Sequence, residues 1–103
     1  MPPFCFRFKA PLPLTLNGGL TGWKIQREYF GKGSKNVAIV AVCLDTKEVI
    51  TLTTGRTREC DHNIEQQSIH VLPDTKAYLI ARKLVKDGLA EIVRHEDRLV
   101  GGA

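Results

Sequence analysis

The sequence predicts an α+β domain of two layers: a mostly antiparallel sheet of about five to seven strands with one amphipathic helix on a face. Three observations lead there. Val37 to Leu44, VAIVAVCL, is a continuous eight-residue apolar run rich in β-branched side chains. It is too short for a core helix and suits a central strand covered on both faces. Asp74 to Asp87 carries Ala77, Ile80, Ala81 and Leu84 at i, i+3, i+4 and i+7, the stripe of a helix lying on a core. The remaining apolar stretches are short, alternate with period two and are punctuated by turn residues, which is hairpin patterning.

Each element has its own justification. Phe4, Phe6 and Phe8 share one parity and Cys5, Arg7 and Lys9 the other, so residues 1–10 read as a half-buried edge strand or arm. Leu12, Leu14 and Leu16 also alternate, but Pro11 and Pro13 cannot donate ladder hydrogen bonds and hold this stretch at an edge. Asn17-Gly18 is a strong hairpin turn signal. Leu20 to Tyr29 would be the returning strand of a hairpin over 12–29, with Gly22 as a bulge. GKGSK, Gly31 to Lys35, is a flexible basic loop. It is not a phosphate-binding loop, because Lys32 is followed by Gly33 and not by Ser or Thr.

Asn36 to Leu44, the turn Asp45-Thr46-Lys47 and the strand Glu48 to Thr54 make a second hairpin over 36–54. Gly55 to Gln67 is polar and lacks an apolar stripe, and Ser68 to Leu72 is a short strand. The helix, 74–87, is capped by Asp74, widened by Tyr78 and Val85, and carries Lys83 and Lys86 in its last turn, where the helix dipole favours cations. Gly88 is its natural terminator. Leu89 to Val93, the turn His95-Glu96-Asp97 and Arg98 to Val100 form a final hairpin over 89–100, and 101–103 is a loose tail.

The chain has 103 residues, 43% hydrophobic and 25% charged, which fits one small folded domain of ~100 residues. Its longest apolar run is far below the ~20 residues of a membrane-spanning helix. No apolar stretch behind a cationic start resembles a signal peptide, so the cytoplasm is the expected compartment. Three widely spaced cysteines, Cys5, Cys43 and Cys60, lack any C-x-x-C pair and read as reduced, largely buried thiols.

CDHNIEQQSIH gathers Cys60, Asp61, His62, Glu65 and His70. The spacing C-x-H-x₇-H matches no standard zinc pattern. As a thiol site, Cys60 would use His62 or His70 as base and Asp61 or Glu65 to orient it. With no cofactor fingerprint, metal motif or paired carboxylates, the expectation is no cofactor, no metal and no catalytic residue.

The net charge of +4 is unevenly placed: residues 1–35 hold six cations against Glu28 alone. A basic asymmetry of this kind can mark a nucleic-acid or acidic-partner face. The candidate nucleic-acid contacts are Arg7, Lys9, Trp23, Lys24, Arg27, Lys32 and Lys35, with Trp23 and Tyr29 as the exposed aromatics. Parity speaks against the opening phenylalanines as base-stacking groups, because a strand that buries them leaves Arg7 and Lys9 as its solvent face.

KAYLIARKLVKDGLAEIVRHEDRLV, Lys76 to Val100, resembles the end of a winged-helix DNA-binding domain. The resemblance implies Arg82, Lys83 and Lys86 on the helix and Arg94 and Arg98 on the wing. The leading expectation is a small non-enzymatic binding module that meets another protein, or a second copy as a homodimer, through a sheet edge or basic face. A nucleic-acid binder and an enzyme built on the Cys60–His70 loop are the alternatives.

Overall fold

The protein is described here by a computed structural model covering residues 3–18, 21–57 and 64–94. In chain order these form β1 (Phe4–Phe8), β2 (Leu14–Gly18), β3 (Thr21–Phe30), a 3-10 turn (Lys32–Ser34), β4 (Asn36–Cys43), β5 (Val49–Arg56), a 3-10 turn (Ile64–Gln66), β6 (Ile69–Val71), α1 (Lys76–Lys86) and β7 (Ala90–Ile92). The α+β class is as predicted, but the single sheet is not. There are two antiparallel sheets, one ordered β2-β3-β4-β5 and one ordered β6-β1-β7.

The division falls at Pro11 and Pro13. Neither can donate to a ladder, so the chain leaves the first sheet after Phe8 and enters the other at Leu14. β1 is not the predicted edge strand or arm. It lies at the centre of the three-stranded sheet, pairing Phe4–Phe6 with Val71–Ile69 and Phe6–Phe8 with Ile92–Ala90. The predicted final hairpin is likewise altered: β7 pairs with β1, and residues 95–100 lie outside the described residues.

In the four-stranded sheet both predicted hairpins form, with local differences. Asn17 and Gly18 are not the turn; they are paired with Gly22 and Thr21, and residues 19 and 20 lie outside the described residues. Gly22 is not a bulge. Its carbonyl accepts the Leu44 N–H at 2.9 Å, and a Cβ there would sit 3.1 Å from Leu44 Cδ1, so glycine permits a close approach. The register slips instead between β4 and β5, where Ile39 faces Thr53 and Val40 faces Thr51, leaving Leu52 as the extra residue.

β4 is central, as its apolar run predicts. Val37, Ile39 and Ala41 point into the core, with Leu16 and Ile25 from β2 and β3. On the outer face no described element forms a second layer. Ala38 and Val40 are still only 6% and 3% exposed, because small side chains sit low between the longer ones of β3 and β5. The core closes from the other side: Phe6 and Phe8 of β1, Ile69 and Val71 of β6, Ala90 of β7, Ile64 of the second 3-10 turn, and Ile80, Ala81 and Leu84 of α1 join one cluster. The phenylalanines face inward, as their parity predicts, with Phe6 and Phe8 rings 5.5 Å apart edge to face.

Helix α1 starts two residues later than predicted. Asp74 takes a left-handed φ of 64°, and Thr75 is the cap, its side chain accepting the Tyr78 N–H at 3.2 Å. The helix ends as predicted. Gly88 has φ 77°; its N–H donates to Val85 O at 3.1 Å and that of Leu89 to Leu84 O at 2.9 Å, a Schellman closure that satisfies the last carbonyls.

Candidate functional site

The most strongly patterned surface lies around α1. Its inner stripe is consumed by the core, which leaves Lys76, Leu79, Arg82, Lys83 and Lys86 on the outer side at helical spacing. No acidic residue interrupts KAYLIARKLVK. In the middle of this cationic face Leu79 is 65% exposed.

Leu79 is a ridge between two grooves. On one side α1 meets the four-stranded sheet in a groove of about 340 Å³, floored by Leu16, Trp23, Ile50 and Ile80 and rimmed by Glu48, Lys76 and Lys83. On the other side α1 meets the three-stranded sheet in a more open groove of about 690 Å³, with Phe4, Val85 and Ile92 below and Arg82, Lys83 and Lys86 around it. Local chemistry explains how these side chains are held. Lys76 Nζ reaches Glu48 Oε2 at 2.6 Å. Arg82 donates to the Tyr78 hydroxyl at 2.8 Å and lies 5.7 Å from that ring's centroid, and Tyr78 is braced edge-on by Phe4 at 5.4 Å. Among the described residues, neither Lys83 nor Lys86 has a carboxylate at ion-pair distance.

The seven residues expected to touch nucleic acid do not share a face. Arg7 and Lys9 project from the outer face of the three-stranded sheet. Trp23 is half-buried on the inner face of the other sheet, opposite Leu16 and Cys43, and is not the exposed aromatic expected. Tyr29 is exposed. Lys24 points to the sheet's outer face. Arg27 is on the inner face, ion-paired with Glu65, with side chains 27% and 13% exposed; the hydrogen bond to Glu65 is the largest of the influences that raise its pKa, followed by that to Tyr29. Lys32 and Lys35 lie at the β3–β4 turn, roughly 25 Å along β3 from Lys24.

Of the Cys60–His70 group, Cys60, Asp61 and His62 lie outside the described residues, and Glu65 is engaged by Arg27. His70 faces a different thiol: its Nδ1 is 2.9 Å from Cys5 Sγ across the β1–β6 ladder. Sequence reasoning missed this pair. The available signal was parity, since Cys5 alternates with the inward phenylalanines and His70 stands between inward Ile69 and Val71. The strand pairing that joins them was not readable.

Compared with known proteins, the chain matches no family model, no curated protein and no solved structure. The winged-helix likeness does not extend to the architecture either. The passage from helix through Gly88 to a strand is present, but that strand pairs with the N-terminal β1, and the segment before it holds the strands β4 (Asn36–Cys43) and β5 (Val49–Arg56) where such a domain has helices. Arg94 is exposed, and Arg98 lies outside the described residues. No described helix is long and apolar enough to cross a membrane.

Proposed function

We propose that this chain is a small non-enzymatic binding module that holds an acidic, partly apolar segment of another protein across helix α1. The observation that carries the reading is the pairing of apolar groove floors with cationic rims on both sides of an exposed leucine. A nucleic-acid backbone needs the cations but has no use for the apolar floors. A peptide with carboxylates and spaced apolar side chains uses both, its apolar groups resting on Trp23 and Ile50 or on Phe4 and Ile92, and its carboxylates meeting Lys83 and Lys86. Cys5 and Cys43 are free thiols, which suits a reducing compartment, and we place the module in the cytoplasm.

Trp23 is the sole tryptophan and lies in the floor, so the protein carries its own reporter. Titration with a synthetic peptide of Glu and Leu at alternating spacing should shift Trp23 emission saturably, and a Lys and Leu peptide should not. Equal response to both peptides, or none at millimolar concentration, would overturn the reading. Light scattering during the titration detects a second copy as the occupant. Salt-sensitive capture of a DNA or RNA oligomer without a Trp23 response would favour the nucleic-acid alternative.

A further inference from the structure

The outer face of the three-stranded sheet carries chemistry that the α1 surface does not use. Along β1, Cys5, Arg7 and Lys9 stand at i, i+2 and i+4, about 7 Å between successive side chains. Across the ladders, Cys5 faces His70 of β6 and Arg7 faces Glu91 of β7. Cysteine is among the most often buried residues, and Cys43 conforms at 4% exposure. Cys5 does not. It sits partly exposed on a solvent-facing surface, with its sulfur 2.9 Å from an imidazole nitrogen and no part in the core cluster.

Among the described residues, the charged groups near this pair are Arg7, Lys9 and Glu91, with exposed Arg94 just beyond Val93, whose N–H donates to Cys5 O at 3.0 Å. Arg7 donates to Glu91 Oε1 from Nη2 at 2.6 Å and from Nε at 3.1 Å, which neutralises the carboxylate that faces it across the ladder. Lys9 continues the line at the exposed end of the strand. Attack by Cys5 sulfur would therefore take place with an imidazole nitrogen beside it and with Lys9 about 14 Å further along the strand, where it can meet the charge of an anionic reagent.

We propose that Cys5 is a thiol-modification site, in which His70 takes the Sγ proton and the thiolate captures an anionic low-molecular-weight disulfide of the glutathione class as a mixed disulfide. In the exchange, Cys5 Sγ bonds to one sulfur of the reagent and the reagent's S–S bond breaks. The departing thiolate takes the proton held by His70. One disulfide and one thiol are consumed, and one mixed disulfide and one thiol are formed, with no further oxidant. Lys9 stands about 14 Å along the strand from Cys5, a span that the arm of the adduct and the lysine side chain would cover together.

His70 Nδ1, 2.9 Å from Sγ, is placed to accept the proton as sulfur attacks, so its contribution is read in the rate. The test is peptide mapping by mass spectrometry after timed exposure of the full chain to glutathione disulfide. Cys5 should be modified at least about tenfold faster than Cys43, which is buried although hydrogen bonds from Thr46 hold its thiol below the ordinary range. His70→Gln should slow Cys5 by roughly tenfold at pH 7, and the difference should vanish near pH 10, where a thiol ionises unaided. Lys9→Gln should slow the reaction with glutathione disulfide and leave that with uncharged hydroxyethyl disulfide unchanged. Trp23 emission checks that both variants are folded, and His70→Asn repeats the measurement if His70→Gln is not. Modification of Cys5 no faster than Cys43, or a pH 7 rate unmoved by loss of His70, would overturn the proposal.

Discussion

Leu79 and Leu84 are five positions apart on one helix and have opposite environments. Leu84 is fully buried in the common core, whereas Leu79 stands between the two grooves. Leu84→Ala should cost about 2–5 kcal/mol of folding stability, the range for a large core side chain cut back to a methyl. Leu79→Ala should change stability by no more than about 0.5 kcal/mol and yet weaken acidic-peptide binding several-fold. Denaturant unfolding followed by Trp23, beside the peptide titration, separates the two; a large loss of stability at Leu79 would show that it packs and does not recognise. Residue environments of this kind were partly legible. The i, i+3, i+4, i+7 stripe identified Ile80, Ala81 and Leu84 as core, and the parity of Phe4 to Lys9 turned the phenylalanines inward. The basic neighbours Lys24 and Arg27 suggest an exposed Trp23, but they do not share its surroundings. On a strand the immediate neighbour points to the opposite face, and Arg27, which does share the face, is tied to Glu65.

At the scale of elements, helix α1 and the β4–β5 hairpin were readable because their signals are local: an apolar period, a cap, a terminating glycine, a β-branched run. The helix end can be tested at Gly88. Its φ of 77° strains any residue with a Cβ, so Gly88→Ala should destabilise by about 1 kcal/mol, even though nothing lies within 4 Å of the added methyl. An unchanged midpoint in denaturant would mean that the turn relaxes freely. The β1–β7 pairing was not readable, since Arg7 and Glu91 are 84 residues apart. It should nevertheless be visible in pH dependence. The hydrogen bond from Arg7 lowers the Glu91 carboxyl below its ordinary value of 4.5 against the opposing effect of burial, and the charges of Arg7 and Lys9 act more weakly in the same direction as the hydrogen bond. A depressed carboxyl contributes stability that is present above the unfolded value and lost as pH falls through the folded one. Glu91 should therefore titrate below 4.5 by NMR, and Arg7→Gln should return it towards that value and flatten the acid limb of the stability curve. Titration of Glu91 at the same pH in both proteins would remove the ion pair from solution.

The arrangement of the whole molecule decides which cations can act together, and sequence counting placed them wrongly. The first third carries a net +5 against +4 for the whole chain, but a chain that crosses from one sheet to the other at Pro11 and Pro13 scatters it. Arg7 and Lys9 go to one sheet face, Lys24 to another, Arg27 inward, and Lys32 and Lys35 to a distant turn. The cations of α1 come from a segment, 73–103, whose net charge is only +1, because Asp74, Asp87, Glu91, Glu96 and Asp97 nearly offset its six cations in the count. Cations gathered on one ridge beside apolar floors can share a ligand; cations on separate faces cannot. The charge reversals Lys83→Glu and Lys86→Glu together should weaken the acidic Glu and Leu peptide by about tenfold, since rim charges contribute up to ~1 kcal/mol each and 1.4 kcal/mol is a factor of ten. They should also flatten its salt dependence, because the screened attraction is gone. Lys24→Glu and Lys32→Glu change the net charge by the same amount on other faces and should leave affinity within about twofold, apart from weak long-range screening terms. Equal losses from the two pairs would mean that peptide binding follows net charge alone and that the α1 grooves are not the site.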